Sequence, residues 1–238
     1  MSGEPTEKLS FLATTDAERD MLLYEGAGTT ELLLGLVGLL SRPGQRCPTV
    51  VESGTSRTLK GGCTDEDGET WRGTLVVENV VGATNPAKPV RLRYSDFGVL
   101  ALSVNGTLTV AADIESDVEI RADEGVVRVA AAWQVAGEDT VVRSSSKLTL
   151  VGEGYVNLSG RWGSSSSRGF MELRGEQVLA LDFGRRDSQG CYATTLDGVP
   201  APSFCAALVT APTSLGGKLR ASPLDRGLIH AVVDAVAR

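Results

Sequence analysis

The chain has 238 residues, Lys+Arg 23 against Asp+Glu 30, a formal net charge of −7 and only 5% aromatic residues. Net acidity argues against a nucleic-acid binder, whose phosphate contacts need clustered lysine and arginine. The single histidine removes multi-histidine metal sites. The length supports one sizeable core and no composition shift marks a boundary, so a single domain is expected.

Residues 1–14 are polar and read as a disordered tail without the apolar stretch of an export signal. Thr15 and Glu18 have capping-box spacing, which starts a helix running through about Tyr24. Gly26 and Gly28 interrupt it. A second helix runs from Thr30 to Ser41 and stops at Pro43-Gly44, so 15–42 reads as helical. The run Leu32–Leu40 (LLLGLVGLL) is too short to span a bilayer. Its flank (Asp16, Glu18, Asp20, Glu25, Glu31) has the wrong sign for a signal peptide. It reads as a helix enclosed by other structure.

From 47 to 183 apolar residues alternate with period two. About ten strands are expected between Thr49 and Phe183, Thr70–Glu78 among them. A three-residue hairpin loop with Gly106 at its left-handed position sets Leu102 opposite Leu108 and Leu100 opposite Val110. A loop of Gly152–Gly154 sets Leu150 opposite Val156 and Leu148 opposite Leu158. Further turns fall at Glu124-Gly125 and Gly175-Glu176, and the last hairpin is apolar on both faces. Asn85-Pro86 and Lys88-Pro89 mark a long loop, and Ser144–Ser146 and Ser164–Ser167 read as loop tips.

Residues 184–221 read as loop-rich. Ser222, Pro223 and Asp225 then begin a helix over 222–238 with an apolar stripe from Leu224 to Val236. The fold class is α+β: a large antiparallel meander, curved or half-barrel, packed on N-terminal and C-terminal helices. A membrane barrel would show the same alternation. The low aromatic content and the helical C-terminus argue against one, so the chain is not expected to span a membrane.

The cysteines fall into close pairs, Cys47 with Cys63 and Cys191 with Cys205, without zinc-ribbon spacing. Of three connectivities, the two local bridges would each staple a short loop in strand-rich sequence. The other reading is four reduced, buried thiols. Disulfides would place the protein in an oxidising compartment: secreted, periplasmic or cell-envelope.

Asp65, Asp67 and Glu69 alternate like the start of a calcium loop. Position twelve of that loop is Val76, so the full motif fails. A partial oxygen cage for calcium competes with a plain acidic turn at Asp67-Gly68. His230 sits on the polar side of the last helix between Arg226 and Asp234, which is a solvated face. Glu172 and Asp182 are strand carboxylates that a hydrolase would use only if brought together. Trp71, Trp133 and Trp162 read as core or rim residues. No catalytic or cofactor-binding residue is assigned, and no phosphate loop or nucleophile elbow is present.

Cys47-Pro48-Thr49-Val50, Gly61-Gly62-Cys63-Thr64-Asp65, Asp67-Gly68 and Trp71-Arg72-Gly73 together resemble a pattern in uncharacterised exported proteins and lipoproteins of predatory soil bacteria. The resemblance covers roughly 30 residues by this motif reading. It implies an envelope or secreted location and supports a Cys47–Cys63 bridge. The function expected is a non-enzymatic envelope protein holding a hydrophobic small molecule or lipid within its sheet. The alternative is a surface module for a protein partner, with calcium assisting, and the third reading is the hydrolase.

Overall fold

The computed structural model describes residues 6–38, 46–66, 68–79, 89–99, 102–111, 113–123, 125–136, 139–163 and 168–205. These residues form one helix, α1 (Asp16–Gly38), and fourteen strands. The strands are β1 (Thr49–Ser53), β2 (Ser56–Lys60), β3 (Cys63–Thr64), β4 (Thr70–Glu78), β5 (Val90–Val99), β6 (Leu102–Val110) and β7 (Ile114–Ala122). They continue as β8 (Gly125–Ala136), β9 (Asp139–Leu150), β10 (Gly154–Gly163), β11 (Gly169–Arg174), β12 (Val178–Arg186), β13 (Tyr192–Leu196) and β14 (Val199–Phe204). The expected antiparallel sheet is present, with more strands than the sequence count. The expected helix over 222–238, with His230, lies outside the described residues, as do the Asn85-Pro86 loop and Ser164–Ser167. Chain contacts group into two compact units, Met1–Thr29 with Glu124–Thr210, and Thr30–Asp123 with Ala211–Arg238.

The capping box forms as read. The Thr15 N–H donates to Glu18 Oε2 at 2.7 Å and the Glu18 N–H donates to Thr15 Oγ1 at 3.2 Å. The break at Gly26 and Gly28 does not occur, because α1 is continuous through both. A Cβ on Gly26 would stand 3.0 Å from Met171 Sδ, 3.3 Å from a Leu158 methyl and 3.4 Å from a Leu148 methyl. The glycine lets helix and sheet approach, and this packing outweighs its helix-propensity cost of about 1 kcal/mol.

In the unit holding Glu124–Thr210, the strand order β8-β9-β10-β11-β12-β13-β14 follows the chain. Val127, Val129, Leu148, Val156, Leu158, Met171, Leu173, Leu179 and Leu181 are buried at alternate positions. Leu148 pairs with Val156 and Leu150 with Gly154, so the loop is Val151–Glu153. The reading from sequence was shifted, yet every residue keeps its face, because the shift is even. Ser144–Ser146 is no loop tip. It lies inside β9, and Ser146 Oγ accepts the Ala132 N–H at 3.0 Å where the β8–β9 register slips. That hydroxyl replaces a ladder partner the bulge removes.

The tail reading of 1–14 is also corrected for residues 6–14. Leu9 is 4% and Phe11 2% exposed. The Leu9 N–H donates to the Tyr155 carbonyl at 2.9 Å, and the Tyr155 N–H donates to the Glu7 carbonyl at 3.1 Å. The Glu176 N–H donates to the Leu9 carbonyl at 2.8 Å, and the Phe11 N–H to Gln177 Oε1 at 2.7 Å. The strap lies over the β11–β12 turn at Gly175, where a Cβ would sit 2.2 Å from the Leu9 carbonyl oxygen. The apolar last hairpin of the sequence reading is thus covered at its turn by the chain's own beginning.

Of residues 184–221, expected to be loops, those over 184–205 are described and hold strands. β13 and β14 pair around Asp197-Gly198, with Leu196 opposite Val199. Both turn residues have positive φ (49° and 79°), as a two-residue hairpin requires. Pro200 and Pro202 obscured this strand, since proline is tolerated only at a sheet edge, the place β14 holds in the order. Cys191–Cys205 bridges the open end of the same hairpin.

In the other unit the order is β1-β2-β4-β5-β6-β7, with β3 paired to β4. Cys47–Cys63 ties the approach to β1 onto β3. Each bridge closes a loop of the size worth about 3 kcal/mol in the chain-entropy model. Thr70–Glu78 is strand β4 as read. The Asn105-Gly106 hairpin is not formed, since β6 runs straight through it. The Asn105 side-chain oxygen accepts the Asp96 N–H at 2.8 Å, where β5 bulges between Tyr94 and Phe97. Gly106 has φ 116°, and a Cβ there would sit 2.2 Å from the Asp117 carbonyl oxygen. Trp71, Trp133 and Trp162 are all buried. The second half of α1 is held here as well, by the Tyr94 hydroxyl donating to the Leu33 carbonyl at 2.8 Å.

Gly175→Ala should lift the strap and destabilise the protein by roughly 1–3 kcal/mol, the usual penalty for overpacking. Urea denaturation checks this. An unchanged midpoint would mean that the strap does not bear on the turn.

Candidate functional site

The acidic segment folds as a closed turn. Asp65 Oδ1 accepts the Glu69 N–H at 3.1 Å, Asp65 Oδ2 accepts Trp71 Nε1–H at 2.9 Å, and the Gly68 N–H donates to the Asp65 carbonyl at 3.1 Å. Asp65 therefore spends both carboxylate oxygens inside its own turn. Asp67 lies outside the described residues. Among the described residues no three His, Cys, Asp or Glu side chains come together as a metal site. Asp65 acts as a turn anchor for the buried Trp71.

Glu172 and Asp182 share the outward face of β11 and β12. Glu172 is ion-paired with Arg174 at 3.0 Å, and Asp182 Oδ1 accepts the Gly184 N–H at 2.8 Å. Each carboxylate is occupied locally. Asp139 is held by two cations, Arg161 at 2.7 Å and Arg168 at 2.8 Å. The Arg161 hydrogen bond leads in keeping its carboxyl below the usual range.

The outward face of β5, β6 and β7 forms an open groove lined by Arg91, Arg93, Thr107, Thr109, Glu115 and Asp117. Its order follows from register. Arg91 pairs with Thr109 and Arg93 with Thr107, while Thr109 pairs with Glu115 and Thr107 with Asp117. Two arginines and two carboxylates thus flank a threonine floor, and Arg93 also reaches Glu78 at 3.2 Å.

The most unusual group is Glu25 on α1. It is 3% exposed. Its Oε2 lies 2.8 Å from Thr29 Oγ1, and that hydroxyl also contacts the Glu25 carbonyl oxygen. Burial pushes its carboxyl up from 4.5 to about 7, opposed by the Thr29 hydroxyl. A hydroxyl carries one proton. A protonated Glu25 can donate to Thr29 Oγ1 while Thr29 donates to the carbonyl, so every group is served. An ionised Glu25 claims that proton and leaves the carbonyl without it. The sequence signalled this residue only as part of an acidic flank, and burial is what singles it out.

Comparison with known proteins finds no match to a family model, a curated protein or a solved structure. Among the described residues no helix is long and apolar enough to cross a membrane. The two disulfides are compatible with an extracytoplasmic protein.

The raised value of Glu25 has a signed consequence. The folded value, about 7, lies above the unfolded one, 4.5, so its contribution is fully present below pH 4.5 and is lost as pH rises through 7. The loss is about 3 kcal/mol at most. Glu25→Gln should flatten this part of the stability–pH curve, read by urea denaturation across that range. An equal slope in both proteins would exclude Glu25 as its source. Separately, Asp65→Ala should cost roughly 1–3 kcal/mol by leaving buried donors unpaired. It should act equally with calcium and with a chelator, whereas a calcium-dependent loss would restore the ion-binding reading.

Proposed function

We propose that this chain is an extracytoplasmic, non-enzymatic protein that holds a hydrophobic ligand or lipid on the apolar face of its antiparallel sheet. The observation that carries the reading is the cover on that face in the unit holding Glu124–Thr210. It includes the helix α1, seated through a glycine at Gly26 and bearing a buried carboxyl at Glu25. A face needed only for stability is better served by well-packed apolar residues, since burying an ionisable group is costly. A polar group set among apolar walls suits a ligand with an apolar body and a polar end. The two disulfides support the location.

A second reading is favoured by the β5–β7 groove. Its arranged arginines, threonines and carboxylates suit a polar protein surface of mixed charge, and such complementarity tunes encounter rate.

Protein exported to an oxidising compartment and extracted with organic solvent should release lipid detectable by mass spectrometry. The emptied protein should bind a fluorescent fatty-acid probe saturably and lose it to added phospholipid. No extractable lipid and no saturable probe binding would contradict the proposal. Reversing the groove charges with Arg91→Glu and Arg93→Glu should leave probe binding unchanged.

A further inference from the structure

We infer that residues 6–29 form a releasable arm over the apolar face of their unit, and that ionisation of Glu25 loosens it. This goes beyond ligand binding and stands whether or not a ligand is held.

The arm is continuous in sequence: the strap over 6–14, the capping box, then α1 as far as Thr29. Its described hydrogen bonds to the sheet are made by the strap, to Tyr155, Glu176 and Gln177. Beyond the capping box, Leu22 and Leu23 are buried and Gly26 packs against Leu148, Leu158 and Met171. Apolar packing has no direction and yields readily once a charge beneath it calls for water. Glu25 is that charge, one residue from the closest approach.

No described cation stands ready to neutralise it. On β9, β10 and β11 the residues facing the arm are apolar, or are Ser146. The charged side chains of those strands, Asp139, Arg143, Lys147, Arg161, Glu172 and Arg174, lie on the opposite face, Asp139 paired there with Arg161. On α1 itself Arg19 is ion-paired with Asp16. Asp20 is partly buried, and its carboxyl is raised by desolvation against the pull of Arg19. In the strap, Glu7 and Lys8 are exposed. Among the described residues, ionised Glu25 therefore keeps the Thr29 hydroxyl as its one polar partner, and the path to solvation is for the arm to lift. Protonated, it closes a local chain of hydrogen bonds and the arm stays seated.

Hydrogen exchange on the full chain at about pH 5.5 and about pH 8.5, corrected for intrinsic exchange, tests this. Arm amides should lose protection relative to β10 and β11 by up to roughly 30-fold at the higher pH, the part of the linkage above that falls between those two pH values. Glu25→Gln should abolish the difference. Should that variant fail to fold, the side-chain carboxyl carbon of Glu25 can be followed by NMR in the wild-type protein. Its titration midpoint should coincide with the loss of arm protection. A constant protection ratio, an unaltered difference in Glu25→Gln, or separate midpoints would each overturn the inference.

Discussion

A hydrogen-bonded ladder satisfies backbone groups but leaves one side of each strand apolar, and water must be kept from that side. In the unit holding Glu124–Thr210, the constraint is met by the chain's own N-terminal residues. The contact at Gly26, where three side chains reach a missing Cβ, holds helix and sheet at close range. Leu9 and Phe11 close the turns, and Gly175 makes room for the strap that carries them. In the other unit the same helix is tied by the buried Tyr94 hydroxyl to the Leu33 carbonyl.

The faces of the strands were legible in the sequence, and their connections were not. Period-two alternation assigns Leu102 and Leu108 to the buried side whether a turn or an unbroken strand lies at Asn105-Gly106. Asn-Gly is a strong turn signal, but here the asparagine serves a bulge in β5 and the glycine clears a neighbouring carbonyl. The even shift at Val151–Glu153 shows the same property. Local chemistry with a short-range cause was read well: the capping box, strand β4, and the two disulfide pairings. What failed depended on contacts distant in sequence. Gly26 and Gly28 look like helix breakers until Met171, Leu158 and Leu148 are brought to them, and residues 6–14 look free until Tyr155 and Gln177 are.

The candidate site was less legible for the same reason. Asp65 and Glu69 drew attention by alternation, and the structure gives Asp65 a structural duty beneath Trp71. Glu25 looked like one of several acidic residues. Its distinction is environmental: a buried carboxyl with one hydroxyl beside it. Burial of this kind costs stability at neutral pH, and that cost is what motivates assigning it a role.

The most direct test is whether the N-terminal helix sits against the sheet where the glycine permits it. In a methyl-labelled sample, nuclear Overhauser contacts should link the Gly26 α-protons to the Met171 ε-methyl and to δ-methyls of Leu148 and Leu158. Finding those methyls in contact with other residues, and none with Gly26, would contradict the account of how this sheet is covered.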